Sequence, residues 1–367
     1  MKKTKNILFR MELKGKGVVN FDSNDQKYLW NENTKNSGQE RVSHNNVSFA
    51  KKRWYKNEDG SFDHKLIISS NCLRHYIFSD DTLYQSPNII NNANLLNSMI
   101  ASPGLILRGY MFAEKDPAKS IKRSSVLSIT DAEQTNNSIS SIETFARSGE
   151  KIVDENKSDT SFFKKETVGE ITYEAIGAID LMQMQFISCD QIFDRLALNP
   201  DTFEDYSNFL STKLPNFNSK LSYYQIKGSA IELPEYGFIL SKDNIVFLTK
   251  ELLRRMINLK IRKSAAYAET INIQYKLVSD PFQDKLNNDD GWNTLTQESI
   301  DTLDFEPEDF YFEYDFAKAK ELRLELEAKA KARKEANKAD ADAKKEDGKV
   351  KKSKKDDSEK EVNSNNE

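Results

Sequence analysis

The side chains able to do chemistry are few and scattered. His44, His64 and His75 are the three histidines, and Cys72 and Cys189 the two cysteines. The cysteines are far apart and lack metal-ligand spacing, so neither a disulfide framework nor a zinc site is expected. Phosphate-loop and dinucleotide glycine fingerprints are absent, as is any nucleophile-elbow pattern. Isolated histidines serve more often as structural hydrogen-bond donors than as catalysts. Dense carboxylates occur between Asp301 and Asp315, interleaved with Phe305, Phe310, Tyr311, Phe312 and Tyr314. That composition suits a docking segment better than a metal cage, which needs fixed ligand spacing. No enzymatic activity, metal or cofactor is expected.

What the chain does offer is cations beside rings. Arg74 and His75 are followed by Tyr76 and Phe78, and Phe162 and Phe163 precede Lys164 and Lys165. Tyr223 and Tyr224 precede Lys227, while Arg262 and Lys263 precede Tyr267. Cations neutralise phosphates and release counterions, and an aromatic face accepts an unstacked base; together they hold a single strand without reading it. Phe162 and Phe163 would serve equally well in a core.

The net charge of -4 and pI near 5.7 argue mildly against nucleic acid. The average conceals segregation, however. The stretch from Asp280 to Asp315 is heavily acidic, whereas Lys220 to Lys263 and the loops around Lys51 and Lys119 are basic. Salt screens charges beyond about 8 to 10 Å, so local sign outweighs the sum. With 38% apolar residues in a 367-residue chain, a sizeable core is affordable. A mean hydropathy of -0.70 and the lack of any run of about 18 apolar residues predict no transmembrane helix. Met1 to Arg10 does not read as a secretory signal, and a reducing cytoplasm is the expected compartment.

The elements that must position these residues are read from periodicity. Ile7 to Asn20 alternates as a strand, Phe21 to Gly60 reads as a long inserted loop with Trp30 and Trp54 as isolated anchors, and Lys65 to Ser69 as a second strand. A helix is predicted over Ala93 to Ala101, ended by Ser102-Pro103-Gly104, with a buried strand from Leu105 to Phe112 and a charged turn from Glu114 to Ser125. Glu166 to Tyr173 reads as a hairpin bending at Gly169, and Ile176 to Ile187 as one long strand. Lys242 to Leu259 is amphipathic, with an apolar stripe of Ile245, Leu248, Leu252, Met256 and Leu259 behind a Ser241 cap, and Thr270 to Val278 is a strand. The mixed order predicts an α+β fold with helices on one sheet face. Ala317 to Glu367 is helix-prone and then too polar to fold.

Several segments, taken in order, resemble the CRISPR-associated protein 7 family, the backbone subunit of Cascade, most closely in its type I-F variant. They are Gly15-Lys16-Gly17-Val18-Val19-Asn20, Ile68 to Phe78, Leu107-Arg108-Gly109-Tyr110 and Lys122 to Leu127. Thr160 to Lys165 continuing to Tyr173, Gln185 to Ser188, Phe193-Asp194-Arg195 and Lys242 to Tyr267 complete the set. The resemblance implies a modified RNA-recognition-motif (ferredoxin-like) palm over residues 1–280, with a finger insertion near 21–64 and a thumb region near 115–175. An acidic aromatic segment (281–316) and a charged tail (317–367) follow. It implies copies packed side by side along the spacer of a guide RNA (the crRNA), which pairs with target DNA. The further partners would be a cap subunit at the 5′ end and a crRNA-processing endoribonuclease. Sequence is then delegated to base pairing while the protein grips backbone. The implied RNA-binding residues are Asn71, Arg74, His75, Arg108, Lys119, Lys122, Arg123, Phe162, Phe163, Lys164, Lys165, Lys227, Arg262 and Lys263.

Two rivals stand beside that reading. One is an endoribonuclease of the same superfamily with His75 as general base; the other is an assembly protein, such as a phage-encoded part, docking through the acidic aromatic segment. Reversing the charge at Arg74 together with Lys165 is expected to weaken guide binding and to flatten the plot of log affinity against log salt. An unchanged slope would remove these two from the phosphate contacts.

Overall fold

The computed structural model describes residues 3–22, 26–31, 36–41, 47–79, 93–113, 120–138, 140–149, 159–190, 196–229, 233–263, 265–279, 290–326, 328, 329 and 332. The strands are β1 (Asn6–Lys16), β2 (Phe21–Asp22), β3 (Gln26–Asn31), β4 (Asn36–Arg41), β5 (Val47–Ala50), β6 (Lys52–Lys56) and β7 (Phe62–Ile68). Next come β8 (Tyr110–Phe112), β9 (Ile121–Arg123), β10 (Leu127–Ile129), β11 (Ala132–Gln134), β12 (Ser140–Gly149), β13 (Asp159–Val168), β14 (Glu170–Asp180) and β15 (Phe186–Ser188). The last are β16 (Ser222–Ile226), β17 (Glu235–Ile239), β18 (Lys260–Lys263), β19 (Ala266–Val278), β20 (Asn293–Thr294) and β21 (Tyr311–Tyr314). The helices are α1 (Ser70–Ile77), α2 (Ala93–Ile100), α3 (Pro103–Arg108), α4 (Leu181–Gln185), α5 (Phe203–Ser211), α6 (Lys242–Ile257) and α7 (Gln297–Thr302).

The chain divides into two compact units, Met1–Leu221 with Tyr236–Phe310, and Ser222–Glu235 with Tyr311–Glu367. In the first, β1 is an interior strand of an antiparallel sheet ordered β18-β19-β1-β14-β11-β7-β6, with β10 also on β14. Its alternation is the reason. Ile7, Phe9, Met11 and Leu13 are fully buried on one face, while Glu12, Lys14 and Lys16 point outward on the other. Burying each of those four apolar side chains contributes about 2 kcal/mol. A bulge at Glu12/Leu13 shifts the register against β19.

Helix α6 covers the buried face. Ser241 accepts from the Asn244 N–H as its cap, and Ile245, Leu248, Leu252 and Met256 form the predicted stripe against the core. The acidic stretch after β20 closes this core rather than standing apart. Leu295, Ile300, Leu303 and Phe305 are buried, and its carboxylates meet cations of the same unit. Asp301 accepts from Arg254 at 2.8 Å, and Lys242 bridges Glu306 at 3.0 Å and Asp309 at 3.3 Å. Hydrogen bonds that Lys242 donates to Glu306 and Asp309 raise its ammonium above its ordinary pKa.

Several expected elements take other forms. Leu105 to Phe112 is not a strand: Ser102 caps α3, Pro103 occupies its first turn, and only Tyr110–Phe112 is extended. Ser102-Pro103 stops one helix but also starts the next, because proline lacks only a donor that the first turn leaves unused. The strand expected over Ile176 to Ile187 is broken at Asp180, whose carboxylate caps α4. The described residues between Phe21 and Gly60 include five strands, and Trp54 lies 4.9 Å from His64 across the β6–β7 pair. The turn at Gly169 is not a hairpin bend. β13 pairs with β12 and β5, whereas β14 pairs with β1, β10 and β11, so Gly169 is where the chain leaves one sheet for another. The hairpin in this region is β12–β13.

Arg123 corrects the sequence reading most directly. It is 6% exposed, and its guanidinium donates to the carbonyls of Ile106 (3.0 Å), Phe186 (2.8 Å), Gln183 (2.9 Å) and Met184 (3.4 Å). The planar fork ties the end of α3 to α4 and β15, and points inward, so it is not a phosphate contact. In the second unit β16 pairs antiparallel with β21, residues 316–326 are helical, and Tyr223 lies 5.1 Å from the Phe316 ring and 4.8 Å from the Arg323 guanidinium. Replacing Arg123 by Met is expected to lower unfolding stability by about 3 kcal/mol, since buried carbonyls lose their donors. Lys should not restore it, because one ammonium cannot span the same carbonyls. Urea denaturation checks both; an unchanged midpoint in R123M would contradict the assignment.

Candidate nucleic-acid interface

Helix α1 is the centre of the largest gathering of the predicted residues. Nothing in its sequence reads as a stripe, yet Leu73 and Ile77 are buried four apart and Ser69 caps it, accepting from the Cys72 N–H. Asn20, just beyond β1, donates to Ser69 Oγ at 3.1 Å and accepts from the Lys51 N–H at 2.9 Å. The end of β1 and the start of β6 are thereby fixed at the amino end of α1, where the helix leaves N–H groups directed outward. One of these, on Ser70, is taken by Asp131 at 2.8 Å; the other oxygen of Asp131 meets Arg53 at 2.6 Å, which offsets the added charge.

On α1 itself, Asn71 and His75 are exposed and Arg74 is half-buried. Arg74 Nη2 donates to the Leu127 carbonyl at 3.0 Å, while its buried Nε has no hydrogen-bond partner. His75 packs edge-on to Tyr76 at 5.1 Å. Lys263, at the tip of the β18–β19 hairpin, places its ammonium 5.5 Å from the Tyr76 ring, and its hydrogen bond with Tyr76 raises its pKa. Burial pushes the Cys72 thiol up, opposed by the positive charges of Lys263 and Lys51. Asn71, Arg74, His75, Lys51 and Lys263 therefore share one neighbourhood.

A second group adjoins it. Phe21 pairs with Ala50 in the β2–β5 ladder, one residue from both Asn20 and Lys51. Lys165 on β13 holds its ammonium 5.8 Å from the Phe21 ring. β13 runs parallel to β5 with Lys165 opposite Ser48. The neighbouring Glu166, 3% exposed, locks this arrangement: it accepts from the Ala50 N–H at 3.0 Å and meets Lys52 at 2.7 Å. Phe162, Phe163 and Lys164 lie on β13 opposite Ala146, Phe145 and Thr144, with their side chains outside the described residues.

The other predicted residues do not join these two groups. Arg123 is interior. Lys122 is half-exposed on β9 opposite Met111, with its N–H on the Leu196 carbonyl, and Arg108 ends α3 half-buried. Lys227 is exposed in the turn after β16, in the second unit, and Lys119 lies outside the described residues. Arg262 is exposed on β18, on the opposite side of that strand from Lys263 in neighbouring positions. Asn20 and Lys16 were not among the predicted RNA-binding residues, although both stand in the Gly15 to Asn20 segment that carries the resemblance. Among the described residues no group of three or more His, Cys, Asp or Glu side chains is placed to hold a metal ion, and no helix is long and apolar enough to cross a membrane.

A family model described as type I-Fv CRISPR-associated protein Cas7fv-like matches residues 3–299. The chain belongs to that family. Two solved structures, entitled "CRISPR RNA-guided surveillance complex" and "CRISPR RNA-guided surveillance complex, pre-nicking", are similar to this Cas7fv-like chain at 11% and 9% identity. The first covers 78% of this chain and 77% of its own with a TM-score of 0.35; the second covers 78% and 82% with 0.34. No curated protein matches it. In the Cas7fv-like chain, Glu166→Ala is expected to cost about 2 kcal/mol, because the Ala50 N–H and the Lys52 ammonium lose their acceptor together. The thermal midpoint checks this. A midpoint equal to that of the unaltered protein would mean that Glu166 does not hold β13 to β5.

Proposed function

We propose that this Cas7fv-like protein binds the spacer of a crRNA without sequence preference, as a repeated backbone subunit of a type I Cascade complex in antiviral defence. The observation that carries this reading is the convergence of Lys51, Lys263, Arg74 and His75 on α1, continued by Phe21 and Lys165. Cations, outward N–H groups and one ring in sequence are what a ribose-phosphate chain needs for a grip that ignores base identity.

The palm is of the RNA-recognition-motif kind. In support, β19-β1-β14 followed by β10 and β11 reproduces the strand order of a split βαβ sheet, with α1 in the first crossover and α6 in the second. β2 to β6 would be the finger and the β12–β13 ribbon part of the thumb. Neighbouring copies of this chain, a cap subunit at the 5′ end and a crRNA-processing endoribonuclease complete the assembly, and target DNA reaches it through the guide. It works in the prokaryotic cytoplasm and carries out no catalysis itself.

Purified protein is expected to retain RNA, raising its nucleic-acid absorbance relative to protein, and to leave added precursor RNA intact. Discrete cleavage products would favour the endoribonuclease with His75 as base, and absence of bound RNA would favour an assembly protein. Lys51→Glu combined with Lys263→Glu should lower the salt slope of RNA binding by about 1.4, two contacts at roughly 0.7 each for a single strand.

A further inference from the structure

The open face of the sheet carries a row of side chains that the α1 grouping does not use. Lys16 on β1 is the direct partner of Tyr267 on β19, and Tyr267 is the direct partner of Arg262 on β18. Residues opposite one another in antiparallel strands share a face with their Cβ atoms about 5 Å apart. The three therefore form a cation–ring–cation row across three strands. Their neighbours along the strands confirm the side they take: Ile261 and Ala268 are buried on the other face. Tyr267 is 43% exposed, unusual for a ring in a strand that pairs on both edges.

Two glycines make the row possible. A Cβ at Gly15 would overlap the Tyr267 carbonyl, and one at Gly17, where φ is 73°, would come within 2.7 Å of the Ala265 carbonyl. Without side chains there, the end of β1 lies flush with the hairpin. A cleft of about 550 Å³ results, lined by Lys16, Lys260, Arg262 and Lys263 together with Tyr267, and by a single carboxylate, Glu269. Glu269 faces Lys260 and Lys14 in the ladders, and Lys14 meets Glu170 at 3.2 Å.

We propose that this row is a further RNA contact, in which Tyr267 stacks one base and Lys16 and Arg262 hold phosphates on either side of it. The proposal rests on the reading that the protein binds single-stranded RNA, and adds a path for the strand. Lys263 lines the cleft and also places its ammonium 5.5 Å from the Tyr76 ring of α1, so the strand passes from the row over the hairpin tip to α1. Four cations against one carboxylate select a polyanion. The accessible ring between two of them selects one with a π-face, since stacking adds affinity whatever the base.

The test is fluorescence anisotropy of a labelled, unstructured ribo-oligonucleotide with the full chain, against Tyr267→Ala, Tyr267→Phe and Arg262→Glu, each checked for native circular dichroism. Tyr267→Ala should weaken binding about tenfold and Tyr267→Phe leave it nearly unchanged. Arg262→Glu should weaken it and flatten its salt dependence. A second readout is photocrosslinking of thiouridine-bearing RNA, with the adduct expected on the Tyr267 peptide. If the unaltered protein binds RNA but Tyr267→Ala binds as tightly and no adduct maps to that peptide, the row is not an RNA contact and the α1 reading stands. If the unaltered protein binds no RNA, both fall. Equal weakening of a polyglutamate probe by Tyr267→Ala would also overturn the row, since that polymer has no base to stack.

Discussion

The pairing of β1 on both of its edges is the constraint from which the rest of the first unit follows. The strand exchanges hydrogen bonds with β14 along one edge and β19 along the other, which fixes the direction of every side chain on it. One face must be apolar because helices cover it, so all polar groups are delivered to the opposite face or to the strand's ends. At its far end the chain passes through Gly17 and returns to meet Lys51, Ser69 and α1. That exit places Asn20 where it can join three segments, and it makes the glycines a condition of the site rather than a loop ornament.

Arginine is used here in ways that composition cannot separate. Arg123 spends its planar donors on main-chain carbonyls inside the protein, where leaving them unmet would be costly. Arg53, on β6, is held between Asp131 and Glu133, at the start of β11, at 2.6 Å each. Arg74 gives one nitrogen to Leu127 and keeps the rest of its fork at the helix. Only the geometry of the acceptors distinguishes a structural tie, a surface ion pair and a fork that is only partly engaged.

The overall negative charge becomes compatible with a polyanion once the acidic stretch is followed in space. Asp301, Glu306 and Asp309 meet Arg254, Lys242 and Lys3, so much of that charge is neutralised on its own unit. Fields at the α1 surface are set by what lies within a Debye length, and the positive charges of Lys51 and Lys263 reach Cys72 on that helix. Within the stretch read as an acidic docking segment, Leu295, Ile300, Leu303 and Phe305 are buried in the core of the first unit.

Wherever periodicity and capping act over short distances, the amino-acid sequence determined the outcome. β1, α2, α6 and the strand before Val278 lie where alternation, a 3.6-residue stripe and Ser241 put them, and the CRISPR-associated protein 7 resemblance was carried by short motifs in a fixed order. Tertiary structure decided everything that depends on which strand meets which. Gly169 looks locally like a hairpin bend whether its flanking strands pair with each other or with different sheets, and Ser102-Pro103 both ends and begins a helix. Arg123 and Arg74 carry identical groups, yet one is turned into the interior and the other sits half-buried on α1. Strand partners and burial are set by contacts distant in sequence, so no local window contains the information that sends a charge inward or outward.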